Sequence, residues 1–113
     1  MMNEEENMFV AISVYLKPLE ELDRFAAAHG AWIMKHYASG RILGSGRRVP
    51  PVGGVILARG ESLEEIQAIL AEDPFSQNGL AKYELFEFNP GPLPRRSPEL
   101  EAFLSKPLRQ ETV

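Results

Sequence analysis

Two periodicities follow one another along this chain in the order strand, helix, strand, strand, helix, strand, and that order leaves few folds open. Residues 9–16 alternate, with Val10, Ile12, Val14 and Leu16 on one side and Phe9, Ala11, Ser13 and Tyr15 on the other. Pro18 then opens a long amphipathic helix predicted to run to about Ser39, with Gly40 as its stop. Residues 41–46 read as a second, glycine-weakened strand, 47–51 as a turn and 53–58 as a third strand. Ser62-Leu63-Glu64-Glu65 fits a capping box, with Ser62 at the N-cap and Glu65 reaching back from N3. Leu63, Ile66, Ile69 and Leu70 supply the face of the helix that follows, which must end before Pro74. Residues 74–78 read as one helical turn closed by Gly79, and 80–88 as the fourth strand. The arrangement is α+β: a ferredoxin-like βαββαβ fold with a four-stranded antiparallel sheet and two helices on one face.

The domain is predicted to span residues 8–90. Residues 1–7 form an acidic lead expected to be disordered. Residues 91–113 form a proline-rich arm, in which Ser97 and Pro98 start a short helix whose apolar side is Leu100, Phe103 and Leu104. At 113 residues the chain suits one domain with a modest core. Its net charge of −4 argues against nucleic acid, which needs a concentrated basic surface. The absence of Cys removes disulfides, thiolate nucleophiles and thiolate metal sites together. No apolar run approaches a membrane span, and nothing resembles a signal peptide, so a cytoplasmic location is expected.

The strands carry apolar residues on both faces: Val55 and Leu57 against Ile56 and Ala58, Tyr83 and Leu85 against Phe86 and Phe88. With both helices on one face, the other face is left as a large apolar patch, which soluble monomers avoid. A homodimer through the sheet face is expected.

Chemistry centres on His29. The spacing Leu22, Phe25, His29, Trp32, Ile33 sets its imidazole on the buried stripe of the helix. On the residues alone, it is either a satisfied helix histidine or, if the fold brings it to Asp73, the base of a His–Asp dyad. Asp73, ahead of Pro74, is equally an N-cap, and the two roles are compatible. His36, seven positions on, reads as a structural or surface histidine, and no zinc site is expected of the two, which stand roughly 10 Å apart along the helix with no third ligand. Ser45 lies in a Gly-Ser-Gly bend and is a candidate pocket hydroxyl. Arg41, Arg47 and Arg48 form a basic group that is either solvated surface or a source of one guanidinium for a substrate carboxylate.

Taken together, Ala28-His29-Gly30-Ala31-Trp32, the stretch from Gly40 to Gly46, Gly53-Gly54-Val55, Ala71-Glu72-Asp73-Pro74-Phe75 and Tyr83-Glu84-Leu85-Phe86 resemble the YCII-related (YciI-like) family over roughly residues 8–90. The resemblance implies a ferredoxin-like fold, dimers of the dimeric α+β barrel type as in muconolactone isomerases, and a His–Asp dyad falling on His29 and Asp73. The chain departs from the family in having Arg47 where many relatives have proline. The resulting expectation is a small enzyme, isomerase- or lyase-like, in which His29 abstracts a proton from a small organic acid. Ser45 with Arg47 or Arg41 would fix the substrate, and no cofactor or metal is called for. The alternative is a dimeric module that binds a small ligand without converting it.

Overall fold

The computed structural model describes residues 7–91 and 95–109. Of the acidic lead, residues 1–6, and of the C-terminal arm, residues 92–94 and 110–113, lie outside the described residues. Four strands, β1 (Met8–Tyr15), β2 (Ile42–Arg47), β3 (Gly54–Arg59) and β4 (Ala81–Phe88), form one antiparallel sheet in the order β2-β3-β1-β4. This is the ferredoxin-like arrangement expected from the order of periodicities. Odd-numbered β1 residues face the helices. Phe9 and Ala11 join Ile42, Ile56 and Ala58 from the sheet and Trp32, Ile33, Ile66, Ile69 and Leu70 from the helices in the main core.

The helical layer departs from expectation in one place. The predicted single helix is two, α1 (Leu19–Asp23) and α2 (Ala26–Ser39), parted where Phe25 leaves the helical region at φ −113° and ψ 7°. No proline or glycine marks the break. Its cause is tertiary: Leu22 and Phe25 pack into a second cluster with Phe75, Leu80 and Ala81, whereas Trp32 and Ile33 serve the main core. The break lets one stretch of chain meet both. At the far end of α2, Gly40 takes φ +86° and closes the helix, a left-handed conformation that glycine adopts without strain.

α3 (Leu63–Ala71) starts at Ser62, whose Oγ accepts the Glu65 N–H at 3.1 Å. The reciprocal half of the capping box is displaced by one residue, since Glu65 Oε1 accepts from the backbone of Glu61 rather than Ser62. α4 (Pro74–Gln77) follows directly. α5 (Pro98–Ser105), capped by Ser97 Oγ, lies on the opposite side of the sheet, where Phe103 and Leu104 pack on Met8 and Leu57. Arg59 fastens it, donating from Nη1 to the carbonyls of Phe103 and Lys106 at 2.7 Å each. Beyond α5, that outer face keeps Val14, Val55, Phe86 and Phe88 between 38% and 49% exposed. Among the described residues no helix is long and apolar enough to cross a membrane.

Candidate active site

His29 sits in the first turn of α2, its N–H bonded to the Phe25 carbonyl at the helix break. Asp73 sits where α3 gives way to α4. Its N–H bonds the Leu70 carbonyl, and Pro74 occupies the first position of the next helix, so its backbone is fixed from both sides. These two local structures bring His29 Nδ1 within 2.7 Å of Asp73 Oδ1, although 44 residues separate them. The carboxylate is fully buried, while 26% of the imidazole is exposed.

Asp73 receives three hydrogen bonds among the described residues. Oδ1 also accepts the Phe75 N–H at 3.0 Å, which makes Asp73 the N-cap of α4, and Oδ2 accepts the Tyr83 hydroxyl at 2.6 Å. Capping and pairing are therefore carried by one carboxylate. Because Asp73 acts as acceptor throughout, Nδ1–H of His29 is the donor in their contact. In its neutral form such a ring presents a lone pair at Nε2, and that nitrogen has no hydrogen-bond partner among the described residues. The imidazole plane is fixed by stacking on Phe75, with centroids 4.1 Å apart and planes 6° apart.

The imidazole forms part of the wall of a cavity of about 210 Å³ between α2 and the sheet. Volume on this scale suits one compact molecule, since a cavity of about 150 Å³ holds benzene. Ile33, Ile56 and Phe75 line its apolar side. Its polar side comes from the strands: Ser13 and Tyr15 of β1, Ser45 and Arg47 of β2, and Tyr83 of β4. Ser45 Oγ and Tyr37 Oη are 2.8 Å apart. Arg47 donates from Nε to the Tyr15 hydroxyl at 3.3 Å, and its guanidinium carbon stands 5.8 Å from that ring's centroid. No Asp or Glu lines the cavity, so Arg47 is its one full charge among the described residues. The loop beside Ser13 depends on a glycine. At Gly53 a Cβ would fall 1.8 Å from the Ser13 carbonyl oxygen, and this close approach lets the 48–53 loop lie along β1.

Of the residues singled out in the sequence, the fold brings together His29, Asp73, Ser45 and Arg47. Arg41 is a correction. It does not line the cavity, and its guanidinium bonds Glu65 at 3.1 Å and the Arg109 carbonyl at 2.7 Å. Arg41 and Arg47 lie at opposite ends of β2, about 20 Å apart along an extended strand. His36 is fully buried, edge-on to Trp32, with Nε2 3.5 Å from Glu72 Oε1, and does not line the cavity. Sequence reasoning missed Tyr15, Phe75 and Tyr83. A signal existed for the tyrosines, because strand alternation puts both on the helix-facing side, and the β1–β4 register sets Tyr83 opposite Ser13.

Comparison with known proteins places this geometry in context. The model of the YCII-related domain family matches residues 8–89. Among solved structures, 5-chloro-2-hydroxyhydroquinone dehydrochlorinase (TftG) from Burkholderia phenoliruptrix AC1100, in complex with 2,5-dihydroxybenzoquinone, superposes with a TM-score of 0.62 at 21% identity. The match covers 74% of this chain and 95% of that one. SnoaB, a cofactor-independent oxygenase from Streptomyces nogalater, gives a TM-score of 0.46 at 17% identity, over 80% of this chain and 99% of that one. No curated protein sequence matches the chain.

Proposed function

The chain belongs to the family of YCII-related domains, and on that premise we propose that it is a small-molecule enzyme in which His29, oriented by Asp73, transfers a proton on a small organic acid. The observation that carries this reading is the 2.7 Å contact between a fully buried carboxylate and an imidazole whose ring opens onto a cavity. Such a pair meets the needs of a general base near neutral pH: one nitrogen held, the other free, and a carboxylate to stabilise the imidazolium that forms.

In the proposed step Nε2 takes a proton from a carbon next to a carbonyl, and the C–H electron pair moves into an enolate. Arg47 and the Tyr15 hydroxyl receive the negative oxygen. Arg47 donates to the Tyr15 oxygen, which leaves the phenolic proton for the ligand. Return of the proton to a different carbon gives an isomer, and loss of a leaving group gives elimination. TftG, which shares the fold, is by name a dehydrochlorinase, an eliminating enzyme. Ser45 adds a further polar contact in the cavity wall, its hydroxyl paired with that of Tyr37. A second copy of the chain covers the outer sheet face at Val14, Val55, Phe86 and Phe88, and the protein works in the cytoplasm. Sedimentation as a monomer at micromolar concentration would remove the dimer from this picture.

The enzymatic reading is tested by deuterium wash-in. Wild-type protein in D2O is incubated with a panel of small oxo-acids, enol lactones and hydroxyquinones, and loss of C–H signal is followed by proton NMR. Exchange with at least one compound is expected, falling by about 100-fold or more in His29→Gln. A compound that binds in the cavity but does not exchange, across the whole panel, identifies instead a binding module.

A further inference from the structure

We propose that Tyr83 is a positioning residue that sets the basicity of His29 through Asp73. The inference rests on the reading of His29 as a base and adds a group that governs how strong a base it is.

Asp73 divides its charge among three donors, and the three differ in kind. His29 is the group to be tuned. The Phe75 N–H belongs to the backbone of α4 and is fixed by the fold. Tyr83 is the one side-chain donor besides His29 among the described residues, and its contact is the shortest of the three at 2.6 Å. Every hydrogen bond given to a carboxylate spreads its negative charge and leaves less to stabilise a neighbouring imidazolium. Asp73 alone, fully buried beside the ring, draws protons onto His29. A ring that stays protonated is no base. Tyr83 takes up part of the carboxylate charge through its own hydrogen bond and weakens the hold of Asp73 on a protonated ring.

Tyr83 is suited to this task by its place. It stands on β4 in register with Ser13 of β1, inside the sheet's bonded region, so its ring is held by strand backbone rather than by a loop. Burial first, and then the charge of Asp73, push its own ionisation far above the ordinary tyrosine range. It therefore remains a donor throughout the neutral range, and it is not itself an acid or base in the reaction. Among the described residues no further side chain donates to Asp73. Across the cavity, β1 brings Tyr15 and β2 brings Arg47, which engage each other. From the α3–α4 junction come Asp73 and Glu72. On α2 the next titratable residues, Lys35 and His36, approach Glu72. α1 and its cap bring only exposed charges, Glu20, Glu21, Asp23 and Arg24.

The test needs no substrate. With histidine labelled at Cε1, the chain shows two imidazole signals, and His29→Gln identifies which is His29. The midpoint of the His29 titration is measured in wild type, Tyr83→Phe and Asp73→Asn. Relative to wild type, Tyr83→Phe is expected to raise the midpoint by about half a pH unit or more, and Asp73→Asn to lower it. A purely structural Tyr83 would cost stability in Tyr83→Phe but leave the midpoint where it was, and an unchanged or lowered midpoint overturns the proposal. Should Tyr83→Phe not fold, uniform 3-fluorotyrosine labelling makes the phenol a stronger donor and is expected to lower the midpoint, with an unchanged or raised value again overturning it. The outcome is separable from the enzymatic reading. A shifted midpoint with no deuterium exchange refutes the enzyme and leaves the coupling standing, whereas exchange with an unshifted midpoint refutes the coupling alone.

Discussion

His29 and His36 lie two turns apart on α2, and they meet two consecutive acids, Asp73 and Glu72, at the end of α3. The two pairs are built in opposite senses. At His29 the acid is fully buried and the ring is partly open; at His36 the ring is fully buried and the acid is 47% exposed. Distance follows the same order, 2.7 Å against 3.5 Å. Glu72 is also shared, since Lys35 Nζ comes within 3.7 Å of the same oxygen. Water screens a half-exposed carboxylate, so its hold on a neighbour is weak, whereas a buried carboxylate acts with little screening. Which partner is buried thus separates a pair that addresses a cavity from one that fills a core.

Substitutions at both ends test that contrast, and their effects on stability should fall in a definite order. Asp73→Ala is expected to be the most damaging, by about 3 kcal/mol or more in chemical denaturation, because it strands the buried donors of Tyr83 and Phe75 as well as His29. Asp73→Asn keeps an acceptable N-cap and should cost clearly less. His36→Ala comes next, at about 2 kcal/mol, through the void it opens beside Trp32, with proton transfer unaffected. Loss of exchange activity in His36→Ala would break the contrast outright.

A pH dependence follows from Tyr83. Its ionisation in the folded protein is raised, so the unfolded chain releases this proton first. The stabilisation is complete below about pH 10 and is lost as pH rises from there toward the folded value. Denaturation midpoints measured between pH 9 and 11 should decline more steeply in wild type than in Tyr83→Phe, by up to about 1.4 kcal/mol per pH unit for one proton. His29→Gln should change stability by less than about 1 kcal/mol, since the ring is partly exposed and both α4 capping and the Tyr83 bond persist. Smallest of all, Glu72→Gln should stay within about 0.5 kcal/mol, as expected for a half-exposed acid. A larger effect there would mean that the His36 end carries more than packing.

The sequence was legible where one element sufficed to determine the outcome. Alternation in β1, the Ser62 and Ser97 caps, and Asp73-Pro74 as a helix start are local signals, and each corresponds to an observed structure. What needed two elements was harder. Nothing near Phe25 signals a break, because the cause lies in a cluster that includes Leu80 and Ala81, more than fifty residues away. Arg41 and Arg47 look alike as neighbours in sequence, yet the length of β2 sends one guanidinium to α3 and the other to the cavity. Tyr83 illustrates the limit most sharply. Strand parity places it on the inner face, but only the fold shows that its hydroxyl ends on the oxygen of Asp73 that His29 leaves free.

The double use of Asp73 has a consequence for how chains of this design change over time. One carboxylate starts α4, anchors β4 through Tyr83 and holds the imidazole. A descendant that no longer performed any reaction would still need the aspartate to fold, so the residue would be retained after its chemistry had lapsed. His29 carries no such obligation. Drift can erase it at little structural cost. Within a lineage of such proteins, then, the aspartate would record ancestry, and under the proposed mechanism the histidine would record whether the trade is still practised.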